Sequence, residues 1–473
     1  MTTDQQTDTQ PRGLNEETLA QLAELTGERF SGEAEILRQH SCDELVTTED
    51  SETVAAVVYA ETVDDVQQVM RFAYEHDIPV ITRGAGTGVS GGAHGITGAI
   101  ALSLERMNRI ISINPDDEMA VVEPGVINAQ LNDAAAEHGF MYAPDPASYQ
   151  RSTIGGNIAT NAGGLRCAKY GVTRDSVRAL DVVLADGTLI STGSPTFKGV
   201  AGYDLTSLFV GSEGTLGVVV SATVRLRYLS ETIHTVAAFF EDFVTASEAV
   251  LAIGRGRVQP SILEIMDLGT MAALDEAHGS DLSARGKALL LIQTDGFGAD
   301  REAEAITAIL QESATEIIST LTASDPSEAL ALVDLRRHSR GDNTETVVRV
   351  GEDVAVPKSQ LVNYVHRIYE IADKYNVLTK VVAHAGDGNL HPTFWIDADD
   401  YATGGMSRLD QALDESIRAA LDFNGTITAE HGIGSYKLRW LGWEQSPEVQ
   451  KLQRQIKEVF DPKNILNPGR AIL

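Results

Sequence analysis

The sequence predicts an α+β protein in several parts, and three observations carry that reading. From about residue 53 to residue 228, short apolar strands alternate with helices and glycine-rich connections. Beyond residue 229 the texture changes to strand-then-helix units at 237–258 and 284–322, as expected of an antiparallel sheet covered by helices. A chain of 473 residues also outgrows a single core, so two or three domains of about 100–200 residues are expected. The divisions are expected at 1–49, 50–228, 229–420 and 421–473.

Each element has a local reason. Leu19, Leu22 and Leu25 recur at helical spacing within 15–27, and Gly27 ends that helix. VAAVVYA reads as a strand, VDDVQQVMRFAYEHD as an amphipathic helix, PVIT as a strand running into glycines, and AIALSLERM as another strand. The first part closes with the strand-like run GVVVSATVRLRYL. The last segment, QSPEVQKLQRQIKEVF, is a helix followed by a tail punctuated by proline and asparagine.

Composition narrows the class of function. Acids outnumber bases 68 to 37, for a formal charge of -31, a surface that repels phosphate backbones and disfavours nucleic-acid binding. Two cysteines, Cys42 and Cys167, build no disulfide framework, so a reducing, cytoplasmic interior is expected. No apolar run approaches the ~18 residues of a membrane span, and MTTDQQTDTQPRG shows no signal peptide. The bases are 27 Arg and only 10 Lys, the first being Lys169. Acid-rich, lysine-poor surfaces resemble those of proteins from salt-loving organisms, although an ordinary acidic protein has the same sign of charge.

Gly86-Thr-Gly88-Val-Ser-Gly91 fits G-x-G-x-x-G and follows a strand, with Glu105 near the distance of a ribose-binding acid. The context excludes a dinucleotide fold, which needs a helix before the next strand. Only AHGITGA separates Gly92 from that strand, too short for a crossover helix and broken by Gly95 and Gly98. What remains is a loop whose bare N–H groups can converge on a phosphate. PDPASYQRSTIGGNIATNAGG (144–164) and GVAGYDLTSLFVGSEGTLGVV (199–219) are further segments rich in small residues. Three such segments suggest a long polar ligand lying across several loops.

Together RGAGTGVSGG, PDPAS…TIGGNIATNAGG and AGYDLTSLFVGSEGTLG resemble the FAD domain of the vanillyl-alcohol oxidase flavoprotein superfamily, in its D-lactate dehydrogenase and glycolate oxidase flavoprotein-subunit branch. The resemblance runs over about residues 40–473. It implies a two-part, PCMH-type FAD-binding domain, an antiparallel-sheet substrate cap, and a C-terminal segment returning to the FAD domain. It further implies that the FAD pyrophosphate sits on Gly84, Ala85, Gly86, Thr87 and Gly88. Pro144, Ser148, Thr153, Gly155, Gly156, Asn157 and Asn161 would line the rest of the cofactor, with Glu213 nearby. Thr87 stands where covalently flavinylated relatives have a histidine, and His94 reads as a loop residue, so non-covalent FAD is expected.

VVAHAGDGNLHPTFW (381–395) is the strongest chemical signal. If Asp387-Gly388 makes a two-residue hairpin turn, His384 pairs with His391 on one face, their Cβ atoms about 4.5–5.5 Å apart. That spacing suits two imidazoles on one metal ion, whereas a lone histidine is more often a surface or core residue. TAEHGIGSYK (428–437) offers Glu430 and His431. The D-2-hydroxy-acid dehydrogenases resembled here carry HxGDGNxH followed by EHGIG. The carry-over makes His384, His391 and Glu430 ligands of a divalent metal and His431 the catalytic base. Zinc is the first expectation, with iron or manganese as alternatives.

A hydroxy acid needs a cation for its carboxylate, and LVDLRRHSRGD (332–342) supplies Arg336, Arg337 and Arg340. The resemblance puts that role on Arg336, and His338 reads as structural. A relative acting on 2-hydroxyglutarate has a lysine near 351 and an asparagine near 393. Gly351 and Thr393 here, with Pro392, argue for a small monocarboxylate. The expected activity is FAD-dependent oxidation of a small D-2-hydroxy acid, D-lactate to pyruvate first. Electrons would pass to an acceptor other than NAD: a quinone, a cytochrome or an electron-transfer flavoprotein. The alternatives are a glycolate oxidase flavoprotein subunit working with partner subunits, and a catalytically idle flavin- or metal-binding subunit.

Overall fold

The computed structural model of the chain describes residues 13–45, 52–320, 326–337 and 347–473. Among the described residues its first part holds a two-stranded pairing of Phe140–Met141 with Arg227–Tyr228 and two larger sheets. In the smaller, Ala56–Tyr59 and Val80–Arg83 flank Ile100–Ser103 in parallel, and Phe30–Ser31 adds an antiparallel edge. The helix Val63–His76 connects the first two of these. Thr62 and Asp65 form its capping box, Asp77 closes it in the left-handed conformation, and Val66, Val69, Met70 and Ala73 bury its apolar stripe. The N-terminal helix, Glu16–Thr26, starts on Asn15, stops at Gly27, and buries Leu22 in the same core.

The second sheet of this part is antiparallel, in the order Ile110–Asn114, Met119–Val122, Val218–Arg225, Val177–Val183, Leu189–Gly193. Valines and leucines of its central strands join the cores on both sides. The glycine-rich segments emerge at the ends of these strands, as the loop after Val80–Arg83 and the stretch before Val218.

From Ile233 onward the chain builds an eight-stranded antiparallel sheet. Its central strands are Ile262–Asp267, Leu378–His384 and Asn389–Asp397. One face is covered by Phe243–Arg255, Ala299–Leu310, Leu361–Tyr375 and Gly405–Asp422, which together enclose the largest apolar core. The opposite face carries Ile262, Met266, Leu289 and Leu291 against Met271, Leu274, Leu332 and Val333 of two other helices. Leu165 of the FAD-type part joins that cluster, so this face turns toward the glycine-rich loops.

The C-terminal segment, expected from residue 421, packs against both parts. Ile427, Ile433, Trp440 and Leu441 belong to the core of the large sheet. The chain already touches the first part at Ser435 and Tyr436, whose N–H groups are accepted by Ser90 O, and it returns there through the helix Pro447–Phe460. Phe460 packs on Phe209, and Ile465 and Leu466 enter the small-sheet core, with Leu466 bridged in parallel to Val80. Among the described residues no helix is long and apolar enough to cross a membrane.

Candidate active site

Leaving its strand at Arg83, the chain turns through Gly84–Gly88 with Gly86 at φ +70°, where a side chain would also collide with the Arg83 guanidinium. Facing it is the helix Ile154–Thr160, whose Thr153 hydroxyl accepts the N–H of Gly156 at 3.2 Å. Between these loops lies an open cavity. Gly84, Ala85, Gly86, Thr87, Gly88, Ser148, Thr153, Gly155, Gly156, Asn157 and Glu213 all line it. A long wall of glycine and small polar residues presents backbone donors with no side chain in the way, which fits an extended phosphate-bearing cofactor.

Two expected lining residues fall elsewhere. Asn161 closes its helix in the left-handed conformation, and its side chain accepts the N–H of Arg174 at 2.9 Å. The carbonyl of Pro144 accepts the buried Asn128 amide at 2.9 Å. Both serve the frame rather than the cavity wall. His94 is also turned away: its Nε2 lies 2.9 Å from Asp43 Oδ1, and it lines a separate cavity beside Arg470.

Glu213 ties the loops of the two parts together. Its buried carboxylate accepts the N–H groups of Ile433 and Gly434, both at 2.7 Å. Burial nevertheless raises it above the usual carboxylate range, against the pull of those donors. The stretch holding Glu430 and His431 is thereby anchored to the wall of the glycine-rich cavity, and both residues line that cavity themselves.

The two hairpin histidines meet, but not by the expected pairing. The connection spans 385–388, so His384 pairs with Asn389 and His391 with Val382. Gly386 N–H is taken by Leu263 O of the neighbouring strand, Asp387 Oδ1 accepts Asn389 N–H, and Gly388 takes φ +89°. The slip is by two residues, which preserves the face. His384 and His391 are therefore diagonal neighbours, with ring centroids 5.1 Å apart.

Both imidazoles point at Glu430. Its Oε1 lies 3.6 Å from His384 Nε2, 3.3 Å from His391 Nε2 and 3.6 Å from His431 Nε2. His431 stacks on His391 at 5.2 Å. Burial favours the neutral form of Glu430, but the three histidines outweigh it and hold the carboxyl well below its usual range. For His391 burial prevails and pushes the imidazole down to about 4. At His384 the Glu264 and Glu430 carboxylates outweigh burial and hold the imidazole well above its ordinary value, so an ion would have to displace a proton there. Imidazole nitrogens gathered around one carboxylate oxygen are a donor set that fits a divalent ion, and His384, His391 and Glu430 supply three such donors without His431.

Two carboxylates that the sequence did not single out organise this cluster. Asp353 is fully buried, and its Oδ2 accepts the N–H groups of Ala429, Glu430 and His431 and the Thr428 hydroxyl, at 2.8–3.0 Å. Asp353, His391, Glu430 and His431 each bring a potential ligand atom within 4.8 Å of the others. Against burial, His431, Lys437 and His391 keep Asp353 far below the usual carboxylate range. The second is Glu264, 1% exposed on the strand Ile262–Asp267, whose Oε1 lies 2.8 Å from His384 Nδ1. The available signal was an acid in the middle of an apolar strand, ILEIMD, for Glu264, and an acidic pair running directly into the apolar stretch VAV for Asp353.

Arg336, on the helix Pro326–Arg337, reaches the same face, where its Nη2 is 2.6 Å from Glu264 Oε2. Arg337 is directed to Asp145 at 3.3 Å. Arg340 and His338 lie outside the described residues.

Comparison with known proteins agrees with this architecture. The family described as FAD linked oxidases, C-terminal domain, matches residues 229–471, and the FAD binding domain matches residues 54–193. The chain is 40% identical over 418 residues to the glycolate oxidase subunit GlcD of Bacillus subtilis, covering 88% of each protein. It is 36% identical over 419 residues to a D-lactate dehydrogenase of Archaeoglobus fulgidus, covering 88% of this chain and 91% of that one. In fold it matches p-cresol methylhydroxylase with substrate bound, at a TM-score of 0.77 and 20% identity over 98% of both chains.

Proposed function

The chain belongs to the FAD-linked oxidases of the glycolate oxidase and D-lactate dehydrogenase type, and from that premise we propose that it oxidises D-lactate to pyruvate with the help of a divalent metal. The observation that carries the reading is the convergence of His384, His391 and His431 on Glu430 at the wall of the glycine-rich cavity. Gly84–Gly88 and Gly155–Asn157 would cradle a dissociable FAD, and His384, His391 and Glu430 would hold the ion, zinc before iron or manganese. Bound FAD supplies the two-electron acceptor and a bound ion supplies Lewis acidity toward the substrate oxygens.

The protein's own part is positioning and proton transfer. His431 Nε2 takes the hydroxyl proton as the carbinol carbon is oxidised; a neutral imidazole is a competent base for an acidified alcohol. Asp353 fixes that histidine through its backbone N–H at 2.9 Å. Arg336 provides guanidinium charge for the substrate carboxylate on the face it shares with Glu264. Gly351 and Thr393 pair directly across their strands, so no cation stands at either position for a second carboxylate. That supports a small monocarboxylate.

A second reading has a specific finding behind it: the Bacillus subtilis relative is named a glycolate oxidase subunit. The purified chain, given an artificial electron acceptor and a panel of D-lactate, L-lactate, glycolate and D-2-hydroxyglutarate, tests both. D-lactate should give the highest kcat/KM. Preference for glycolate, or activity only after a partner subunit is added, would replace the first reading by the second. Activity on none, with flavin bound, would indicate a catalytically idle subunit.

A further inference from the structure

A carboxylate inside a β-sheet needs a cation and hydrogen-bond donors to offset its desolvation. Glu264 is such a group: it is 1% exposed in the middle of the apolar strand Ile262–Asp267. The sheet register sets it directly opposite His384, so the two side chains share a face by strand geometry rather than by chance of rotamer. Its two oxygens are divided between two partners. Oε1 lies 2.8 Å from His384 Nδ1 and Oε2 lies 2.6 Å from Arg336 Nη2. Arg336 arrives from a different element, the helix Pro326–Arg337 packed on that face.

A neutral imidazole has one N–H and one lone pair, and the acceptor it faces decides which nitrogen carries which. A carboxylate at Nδ1 places the proton there and leaves the lone pair on Nε2. That nitrogen points at the Glu430 oxygen, 3.6 Å away, on which the other two imidazoles also converge. A carboxylate behind a ligating imidazole also raises its basicity and restricts rotation of the ring.

We propose that Glu264 is a positioning residue: it holds His384 in the Nδ1–H tautomer with its Nε2 lone pair aimed at the Glu430 cluster, and through Arg336 it joins that metal ligand to the substrate-carboxylate end of the site. The inference rests on the metal reading above. One carboxylate thereby sets the direction of two groups that come from a strand and a helix far apart in the chain. The competing explanation is that Glu264 only neutralises the charge of a buried arginine.

Metal affinity separates the two without relying on turnover. Co2+ is titrated into metal-stripped, FAD-loaded protein, its absorption read in the visible range, and affinity measured by competition with a chelator. Glu264→Gln should weaken binding by about 10–100-fold, the usual cost of losing such an outer partner. The decisive protein is the double variant Glu264→Gln/Arg336→Met, which removes both buried charges. Weak Co2+ binding that persists there supports a role on His384. Recovery to wild-type affinity overturns the proposal in favour of charge neutralisation, and an unchanged single variant overturns it outright. Glu264→Asp gives a second test if the glutamine variant fails to fold: it keeps a charge for Arg336 but draws the acceptor back from His384, so it too should bind Co2+ more weakly. Wild-type affinity in the aspartate variant would count against the proposal. Wild-type protein that binds no Co2+ at all would instead overturn the functional reading on which the inference stands.

Discussion

Replacing Asp353 by Asn should loosen the loop that carries Glu430 and His431 while leaving the flavin in place. One oxygen of Asp353 accepts four donors from residues 428–431, and the other accepts the Asn389 amide at 2.9 Å. An asparagine can satisfy the loop only by turning its own NH2 toward that of Asn389, donor against donor. In this better orientation four charge-assisted bonds become neutral ones, each weaker by about 1 kcal/mol. Lys437, 2% exposed with its Nζ 3.7 Å from Asp353, also loses a carboxylate neighbour. The sum is about 4 kcal/mol, and relaxation of the loop recovers part of it. At roughly 2–4 °C per kcal/mol for a unit of this size, the half containing the large sheet should melt lower by at most about 8–16 °C. Calorimetry and flavin absorbance measure the two effects separately, because the glycines at 84–88 do not touch Asp353 and FAD should stay bound. A variant that melts with wild type and is reduced by D-lactate at the wild-type rate would refute the argument that this carboxylate holds the loop.

Three further outcomes are expected. In His431→Asn, flavin reduction by D-lactate should slow by about 10²–10⁴, a general base's usual contribution, with FAD and metal retained; stopped-flow reduction within a few-fold of wild type rules His431 out as the base. Acid precipitation should release the flavin to the supernatant, since Thr87 offers no imidazole for a covalent link and His94 is engaged with Asp43; yellow precipitate over a colourless supernatant contradicts this. If the excess of carboxylates behind the -31 charge is a salt adaptation, the melting temperature should climb with KCl into the molar range, where the Debye length falls to about 3 Å; a flat or falling curve removes that idea and leaves the enzyme untouched.

What the sequence made legible, and what it hid, follows from the range of the interactions. The helix Val63–His76 was readable because its caps and its apolar stripe lie within its own residues. That His384 and His391 share a face was readable too, because a shift by two residues does not change parity. Their true register was not, since it depends on Gly386 bonding to Leu263, a residue of another strand. Glu264 and Asp353 escaped for the same reason: their partners lie 120 and 75–78 residues away along the chain. Asn161 and Pro144 likewise have partners that the motif does not display: the Asn161 side chain accepts the Arg174 N–H at its helix end, and Pro144 gives its carbonyl to Asn128.

The charge balance of the cluster supplies an independent argument for a metal in the proposed mechanism. Three carboxylates, Glu264, Glu430 and Asp353, face two side chains of fixed positive charge, Arg336 and Lys437. With the imidazoles neutral, the cluster carries an excess negative charge before any substrate arrives. A 2-hydroxy acid brings another, and two like charges 4 Å apart repel by about 4 kcal/mol at the effective dielectric of a site near the surface. That penalty would lower affinity for the anion by nearly a thousandfold. Without an ion, Glu264 and Glu430 outweigh burial and hold the His384 imidazole well above its ordinary range, so one proton there can offset the excess. That proton, however, occupies the nitrogen lone pair a metal would need. A divalent ion held by His384, His391 and Glu430 would take the place of that proton and, with its second charge, would favour the substrate carboxylate, so that His431 need not carry the compensating charge.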